Sequence, residues 1–465
     1  MRPGMDLAGK RVLVVGLART GIATALFAAA RGAVVTATEE RPEKEITGEM
    51  GKLREAGVAL EFGGHTSARF LEQDLIVVSP GVPAKLPPLE LARAQGIPVW
   101  SEVELAWRFL RGRLVAITGS NGKTTTTALV GHILKTAGVP VLVGGNIGTP
   151  LLSLVDSSSD QTVTVAELSS FQLETIESFR PEVGVLLNLT PDHLDRHASM
   201  EEYAHAKARM FENQIERDAA VLNADDPRVA QVVPARPQIF WFSRQKRVAS
   251  GAFLHDGRIV FRRDGVETVL MRRDEIPLRG EHNLENVLAA SVAAVLAGAE
   301  PAAVEDGVRT FAGVEHRLEF VAEIGGVGYY NDSKATNVDA TLKAIEAFSE
   351  PVLVILGGKD KGGDFTLLRE PLQRRARMAL LVGAAAEKIA SQLAGALPLE
   401  RAATLENAVQ LAFERARPGE IVLLAPACAS FDQFQNFEHR GRVFKQLVEQ
   451  LQGRSAEGQP MRKGS

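Results

Sequence analysis

The sequence predicts an α/β protein of about three domains, and three observations carry that expectation. Its 465 residues are more than one core holds at ~150 residues per domain. Short β-branched runs alternate with longer Ala-rich amphipathic stretches, the pattern of buried parallel strands with covering helices. Three apolar strands also run directly into glycine loops: Arg11–Val15 into Gly16-Leu-Ala-Arg-Thr-Gly21, Arg113–Ile117 into Thr118-Gly-Ser-Asn-Gly-Lys-Thr-Thr125, and Pro351–Leu356 into Gly357-Gly-Lys-Asp-Lys-Gly-Gly363. Their spacing divides the chain into 1–110, 111–312 and 313–452, and the polar stretch 453–465 reads as a disordered tail.

Composition narrows the function. Lys plus Arg number 53 and Asp plus Glu 57, a net charge of −4, so no basic excess is available to neutralise a nucleic-acid backbone. One cysteine, Cys428, closes no intramolecular disulfide and excludes a cysteine-based metal cluster. The N-terminus lacks the apolar core of a signal peptide, and the most apolar stretch, 287–299, is shorter than the ~20 residues that span a bilayer. The expected compartment is the cytoplasm.

In the first segment, Gly16-x-Ala18-x-x-Gly21 resembles a dinucleotide fingerprint with its middle glycine replaced, which disfavours a dehydrogenase because that glycine admits the pyrophosphate. The next strand, 33–37, ends in Thr38-Glu39-Glu40, where an acid suits a ribose or uracil edge. A further strand, 74–78, ends in the turn Ser79-Pro-Gly81, at the sheet end where ligands bind.

In the second segment, the loop Gly119-Ser-Asn-Gly122-Lys123-Thr124 follows a strand and precedes a helical pattern, 128–137. Glycines turn backbone N–H groups toward an anion, Lys123 reaches the β/γ-phosphates, and the Thr124 hydroxyl suits Mg²⁺. The spacing is G-x-x-G-K-T, shorter than the strict Walker form, because Ile117 stands where its first glycine belongs. ATP is the expected ligand. A strand over 161–166 delivers Glu167 beside this loop, where a Mg²⁺ ligand is wanted. A second strand, 183–189, leads to Asp192, His193, Asp195 and His197, two carboxylates and two imidazoles at one exit. A helix over 203–211 carries Lys207, which by itself reads as a solvated face residue.

These motifs resemble the Mur ligases, the ATP-dependent amide-bond ligases of peptidoglycan precursor synthesis. The likeness spans Thr118–Thr125, Gly144-Gly-Asn-Ile-Gly148, Glu167-Leu-Ser-Ser-Phe-Gln-Leu-Glu174, Asn188-Leu-Thr-Pro-Asp-His-Leu-Asp195, Gly280-Glu-His-Asn-Leu-Glu-Asn286, His316-Arg317 and Asn331-Asp-Ser-Lys-Ala-Thr-Asn337. Within the family, Gly357–Phe365 and Pro426–Arg440 point to the D-glutamate-adding branch, while the Asp-Asn-Pro-Arg motif of the diaminopimelate-adding branch is missing.

The resemblance implies a Rossmann-like N-terminal domain for the UDP substrate, a central P-loop ATPase-type α/β domain, and a C-terminal Rossmann-like α/β domain for the amino acid. It implies that UDP-N-acetylmuramoyl-L-alanine and D-glutamate are joined through an acyl phosphate, with ATP and two Mg²⁺ ions, in a monomer. By the same resemblance Gly119, Ser120, Asn121, Gly122, Lys123, Thr124, Thr125, Asn283, Asn286, Arg317, Asp332 and Lys334 serve ATP. Thr124, Glu167, His193 and Lys207 serve metal, Lys207 as a carbamate, and Lys123, His193, Lys207 and Lys334 serve catalysis. Arg19, Thr20, Ser79 and Asn146 fall to the UDP substrate, and Thr336, Lys361, Ser430 and Phe437 to D-glutamate. In the first domain Thr38 replaces the family's usual acid, leaving Glu39 or Glu40 to substitute. Rival readings are another amide ligase such as a folylpolyglutamate synthase, a nucleotide-dependent switch that needs no amino acid, and a dehydrogenase.

Overall fold

The computed structural model describes residues 5–46, 49–146, 148–192 and 196–456. Three sheets organise them. The first is five-stranded and parallel, in the order Ala59–Phe62, Val34–Glu39, Arg11–Val15, Leu75–Val78, Val99–Ser101. Its central strands are apolar on both faces, and Val12 to Val15 are fully buried, as a sheet covered on both sides requires. Strand order reverses between Arg11–Val15 and Leu75–Val78, so the loops at Gly16 and Ser79 flank the crevice where such sheets bind ligands.

The second sheet has nine strands, ending at one edge with Arg113–Thr118 between Val183–Leu186 and Val163–Glu167, and Val141–Gly145 outermost. This core is parallel, which sets the phosphate loop, Glu167 and the segment after Leu186 side by side. The far edge, Gly251–His255, Arg258–Arg263 and Val266–Arg272, is an antiparallel meander.

The third sheet runs Glu319–Ile324, Val327–Asn331, Ile421–Leu424, Val352–Gly357, Ala376–Val382, Leu399–Ala403, antiparallel only in its first pair. The loops leaving Asn331, Leu424 and Gly357 therefore share one end of three neighbouring strands.

The chain forms two compact units, Met1–Pro277 with His282–Phe311, and Leu278–Glu281 with Ala312–Ser465. The first holds two sheets and the second holds one. Expected and observed elements differ in three places. The strand expected over 183–189 ends at Leu186, because the Asn188 side chain turns to bond the phosphate loop. The helix after that loop starts at Lys123 rather than near 128, running Lys123–Thr136 directly from left-handed Gly122. The expected tail at 453 is corrected by the helix Phe437–Ala456, whose apolar stripe Phe444, Val448 and Leu451 is buried and anchors the turn beyond it; 457–465 lie outside the described residues.

Candidate active site

The phosphate loop is shaped by its neighbours as much as by its glycines. Gly119 has φ +155°, and a Cβ there would lie 2.9 Å from the Leu187 Cβ. Gly122 has φ +84°, and a Cβ would meet the Asn286 Oδ1 at 2.2 Å. Side chain therefore cannot be added at either turn without displacing the strand exit or the helix beside it. The segment after Leu186 clamps the loop from the other side. The Asn121 N–H donates to Asn188 Oδ1 at 2.8 Å, the Asn188 amide returns a bond to the Asn121 carbonyl at 3.1 Å, and Ser120 N–H donates to the Asn188 carbonyl at 3.0 Å. The Ser120 hydroxyl donates to the Thr190 carbonyl at 2.9 Å and lies 3.1 Å from the Tyr203 hydroxyl.

Two lysines meet at this loop. Lys123 Nζ donates to the carbonyls of Gly119 and Ser120, both at 2.8 Å. Lys207, on the helix Met200–Ala208, is 1% exposed and donates to the same Gly119 carbonyl at 3.0 Å. Burial, and then the nearby Lys123 charge, hold the Lys207 ammonium well below its usual range. The sequence reading of a solvated lysine, made without the family, is thus corrected: its helix turns that face inward, with Nζ 4.6 Å from the Tyr203 ring centre.

Glu167 ends its strand 2% exposed, and Asn146 Nδ2 donates to its Oε1 at 3.2 Å. A buried carboxylate bonded to a neutral amide, on the strand beside the one that leads into the Thr124 loop, is a hard-oxygen donor of the kind Mg²⁺ prefers. His193 and Asp195 lie outside the described residues. Among the described residues no group of three or more His, Cys, Asp or Glu side chains gathers to hold a metal. His197 is buried, 3.0 Å from the Ser170 hydroxyl and stacked on Phe171; it braces the loop after Glu167. On the neighbouring helix Glu281–Leu296, Asn286 donates to Asn283 Oδ1 at 3.0 Å and accepts from Thr126 at 3.3 Å. Both asparagines are buried against the phosphate-loop helix.

At the first sheet, the Ser79 hydroxyl donates to the Gly16 carbonyl at 2.8 Å, so it shapes the glycine loop. Gly21 packs on that same carbonyl, where a Cβ would sit at 1.8 Å. Arg19 and Thr20 open the helix Arg19–Ala30, Arg19 exposed. The acid after the second strand does something the sequence did not suggest. Glu39 is buried inside that strand, accepts the Leu17 N–H at 2.8 Å and Arg41 Nε at 2.9 Å, and is held down to about 2, chiefly by Arg41. Its carboxylate fixes the loop instead of reaching outward for a ribose.

In the second unit, burial pushes the Asp332 carboxyl up to about 7, opposed by Arg317 and Lys334. Lys334 Nζ sits 4.5 Å from the Phe437 ring centre. Thr336 bonds back to the Lys334 carbonyl at 2.8 Å. Ser430 is buried, and Lys361 is exposed in a loop whose Asp360 accepts from Gly362, Gly363 and Lys388. Sequence reasoning assigned no role to Asn188, Tyr203, Ser333 or Arg440. The first two bond the phosphate loop, and the last two bond each other. Nothing in spacing marks them, although all lie within or beside the quoted motifs.

Comparison with known proteins follows the same division. Residues 10–101 match the Mur ligase MurD-like N-terminal domain, 117–294 the Mur ligase middle domain, and 316–428 the Mur ligase glutamate ligase domain. A UDP-N-acetylmuramoylalanine–D-glutamate ligase of Acidobacterium capsulatum is 55% identical over 455 residues, covering 97% of this chain and 99% of that protein. One from Solibacter usitatus is 56% identical over 449 residues, covering 96% and 99%. Among solved structures, a pseudomurein peptide ligase type C of Methanothermus fervidus aligns with a TM-score of 0.58 at 19% identity, over 95% of this chain and 100% of that one. The UDP-N-acetylmuramate–alanine ligase MurC of Thermotoga maritima gives 0.58 at 20% identity, over 96% and 99%. At those identities the two structures speak for the fold.

Proposed function

The chain belongs to the Mur ligase family, and on that premise we propose that it joins D-glutamate to UDP-N-acetylmuramoyl-L-alanine as ATP becomes ADP and phosphate. The observation that carries this reading is the meeting of Lys123 and Lys207 at one phosphate-loop carbonyl, with the Glu167–Asn146 pair at the end of the adjacent strand, in a chain that matches ligases of that name over 99% of their length. We assign residues 1–110 to the UDP substrate, 111–312 to ATP and Mg²⁺, and the remainder through the last helix to the amino acid.

The chemistry has two displacements. The alanyl carboxylate attacks the γ-phosphorus, the bond to the β–γ bridging oxygen breaks, and ADP leaves an acyl phosphate. The D-glutamate amine then attacks the acyl carbon, a proton is lost from nitrogen, and the tetrahedral intermediate expels phosphate. A free carboxylate has no competent leaving group at neutral pH, which is why phosphorylation comes first. The protein positions the reactants and neutralises charge. Loop N–H groups and the N-terminus of Lys123–Thr136 face the phosphates, and Lys123 exchanges two loop carbonyls for β/γ oxygens. Asn283 and Asn286 border the nucleotide. Arg317, Asp332 and Lys334 are assigned to ATP as well.

Thr124 and Glu167 would offer oxygen ligands to one Mg²⁺, and His193 with Lys207 would hold a second; bound Mg²⁺ would supply charge neutralisation at the transferring phosphoryl group. A bare Lys207 ammonium would repel that ion. Burial that favours its neutral amine also favours reaction with CO₂, which adds to nitrogen, releases one proton and leaves an anionic carbamate. Intact-mass spectrometry in bicarbonate should show one CO₂ adduct that vanishes in Lys207→Met; an unmodified mass throughout would exclude the carbamate. Asn146 faces the acyl substrate, and Arg19, Thr20 and Ser79 frame the UDP end. Thr336, Lys361, Ser430 and Phe437 frame D-glutamate.

Among the described residues no helix is long and apolar enough to cross a membrane, and we assign the enzyme to the cytoplasm, as a monomer. The deciding assay is ADP release with UDP-N-acetylmuramoyl-L-alanine plus D-glutamate, L-glutamate or neither. Release should require D-glutamate, and equal rates in all three would overturn the assignment.

A further inference from the structure

Arg440 is 2% exposed, one of the largest side chains to be buried so completely. Arginine is almost never buried without an anionic partner, because an uncompensated charge in a low-dielectric interior is costly. Yet its three acceptors are all neutral. Nε donates to the Ser333 hydroxyl at 2.9 Å, Nη2 to the Ser333 carbonyl at 2.8 Å, and Nη1 to the Cys428 carbonyl at 3.2 Å. Among the described residues no carboxylate comes within ion-pair distance of it. Burial lowers its pKa to about 10, opposed in part by the Asp432 carboxylate beyond ion-pair distance, so the guanidinium stays charged at neutral pH.

Its position gives that charge a use. Ser333 lies in the loop leaving Val327–Asn331, Cys428 in the loop leaving Ile421–Leu424, and Gly358 in the loop leaving Val352–Gly357. A Cβ on Gly358 would lie 3.2 Å from Nη1, and Lys359 and Ala429 exchange backbone bonds at 2.8 and 3.1 Å. The Ser333 hydroxyl donates onward to the Phe437 carbonyl at 2.9 Å. One planar fork thus holds the segments that carry Lys334 and Thr336, Lys361, Ser430 and Phe437, at the strand ends where α/β sheets take their ligands.

We propose that Arg440 is the positioning residue of the amino-acid site, fixing its loops while its charge, paired with no carboxylate at contact distance, favours an anionic acceptor. The inference rests on the ligase reading above. The acceptor's carboxylates add to the attraction of Asp432, acting through the protein interior without touching the guanidinium.

The test compares Arg440→Gln, which removes charge and fork, with Arg440→Lys, which keeps only the charge. Each is checked for a cooperative melt and then assayed for the KM of all three substrates. Arg440→Gln should raise the D-glutamate KM at least about tenfold while the ATP and UDP-substrate KM values stay within about twofold, and Arg440→Lys should fall between it and the wild type. An unchanged D-glutamate KM in a folded Gln variant overturns the proposal, as does a parallel rise for all three substrates. If the Gln variant does not fold, the Lys variant decides: a selective rise for D-glutamate supports the role, and no rise or a parallel one overturns it. Failure of the ligase reading shows separately, as wild-type protein that releases no ADP in response to D-glutamate.

Discussion

Lys207 shows how one buried atom joins stability to chemistry. Its ammonium sits in the interior beside a second lysine, so its folded pKa lies well below the 10.5 of a free lysine. Between those two values the unfolded chain binds more protons than the folded one, and stability therefore rises with pH across that window. Lys207→Met, of similar volume, should stabilise the ligand-free protein at pH 7 in CO₂-free buffer by about 1–3 kcal/mol, while ligase turnover is lost. The gain should shrink toward pH 10, close to the free-lysine value of 10.5, where giving up the proton on folding costs little. Thermal melts at the two pH values read this directly, and a variant no more stable than wild type at pH 7 would refute it. This environment was not legible in the sequence. The Tyr203–Phe211 stretch reads as a helix, but the side of it that meets the phosphate loop depends on the sheet order.

At the scale of elements, the helix Glu102–Phe109 is the joint between the first two sheets. Glu104, fully buried, accepts N–H bonds from Glu177, Ser178 and Phe179 at 2.8–3.0 Å and pairs with Arg108. Glu102 accepts from Leu152 at 2.7 Å, but its Oε2 has no hydrogen-bond partner among the described residues. Burial pushes the Glu102 carboxyl up to about 7, so the folded state keeps a proton that the unfolded state gives up near 4.5. Stability from this group is full below about pH 4.5 and is lost as pH rises through 7. Glu102→Gln keeps the acceptor and removes the charge. Its stability relative to wild type should grow from little at pH 5 to about 1–3 kcal/mol at pH 8, read as a shift in urea midpoint at constant m-value. A pH-independent difference would contradict this origin. The joint also explains why two sheets form a single compact unit although the sequence spaces them as two domains.

For the whole molecule, the phosphate-loop residues and the proposed acceptor residues belong to different compact units. An amine can attack an acyl phosphate only across bond-forming distance, and the intermediate must be kept from water. Binding of a non-hydrolysable ATP analogue, Mg²⁺, UDP-substrate and D-glutamate should therefore compact the protein, with a smaller radius of gyration in solution scattering. Superimposable profiles with and without ligands would rule out closure. A net charge of −4 is compatible with three anionic substrates because the cations are local: Lys123 at the phosphate loop, Lys334 and Arg440 where strands of the third sheet end.

Residues adjacent in the chain revealed most of this protein. Strand-to-glycine transitions, the loop Gly119–Thr124 and the family motifs are local patterns whose geometry follows from backbone sterics and helix-terminus electrostatics. They suffice for the α/β class, the three sheets and the nucleotide loop. What only the tertiary structure decided depends on which strands become neighbours. Placing Arg113–Thr118 between Val163–Glu167 and Val183–Leu186 brings Glu167 and Asn188 to the phosphate loop. Inserting Ile421–Leu424 between Val327–Asn331 and Val352–Gly357 brings Ser333, Gly358 and Cys428 onto Arg440. It also decided burial, which turned Glu39 inward onto Leu17 and removed Lys207 and Arg440 from water. A charge's cost and its reactivity are set by the dielectric and partners around it, and those belong to the folded chain.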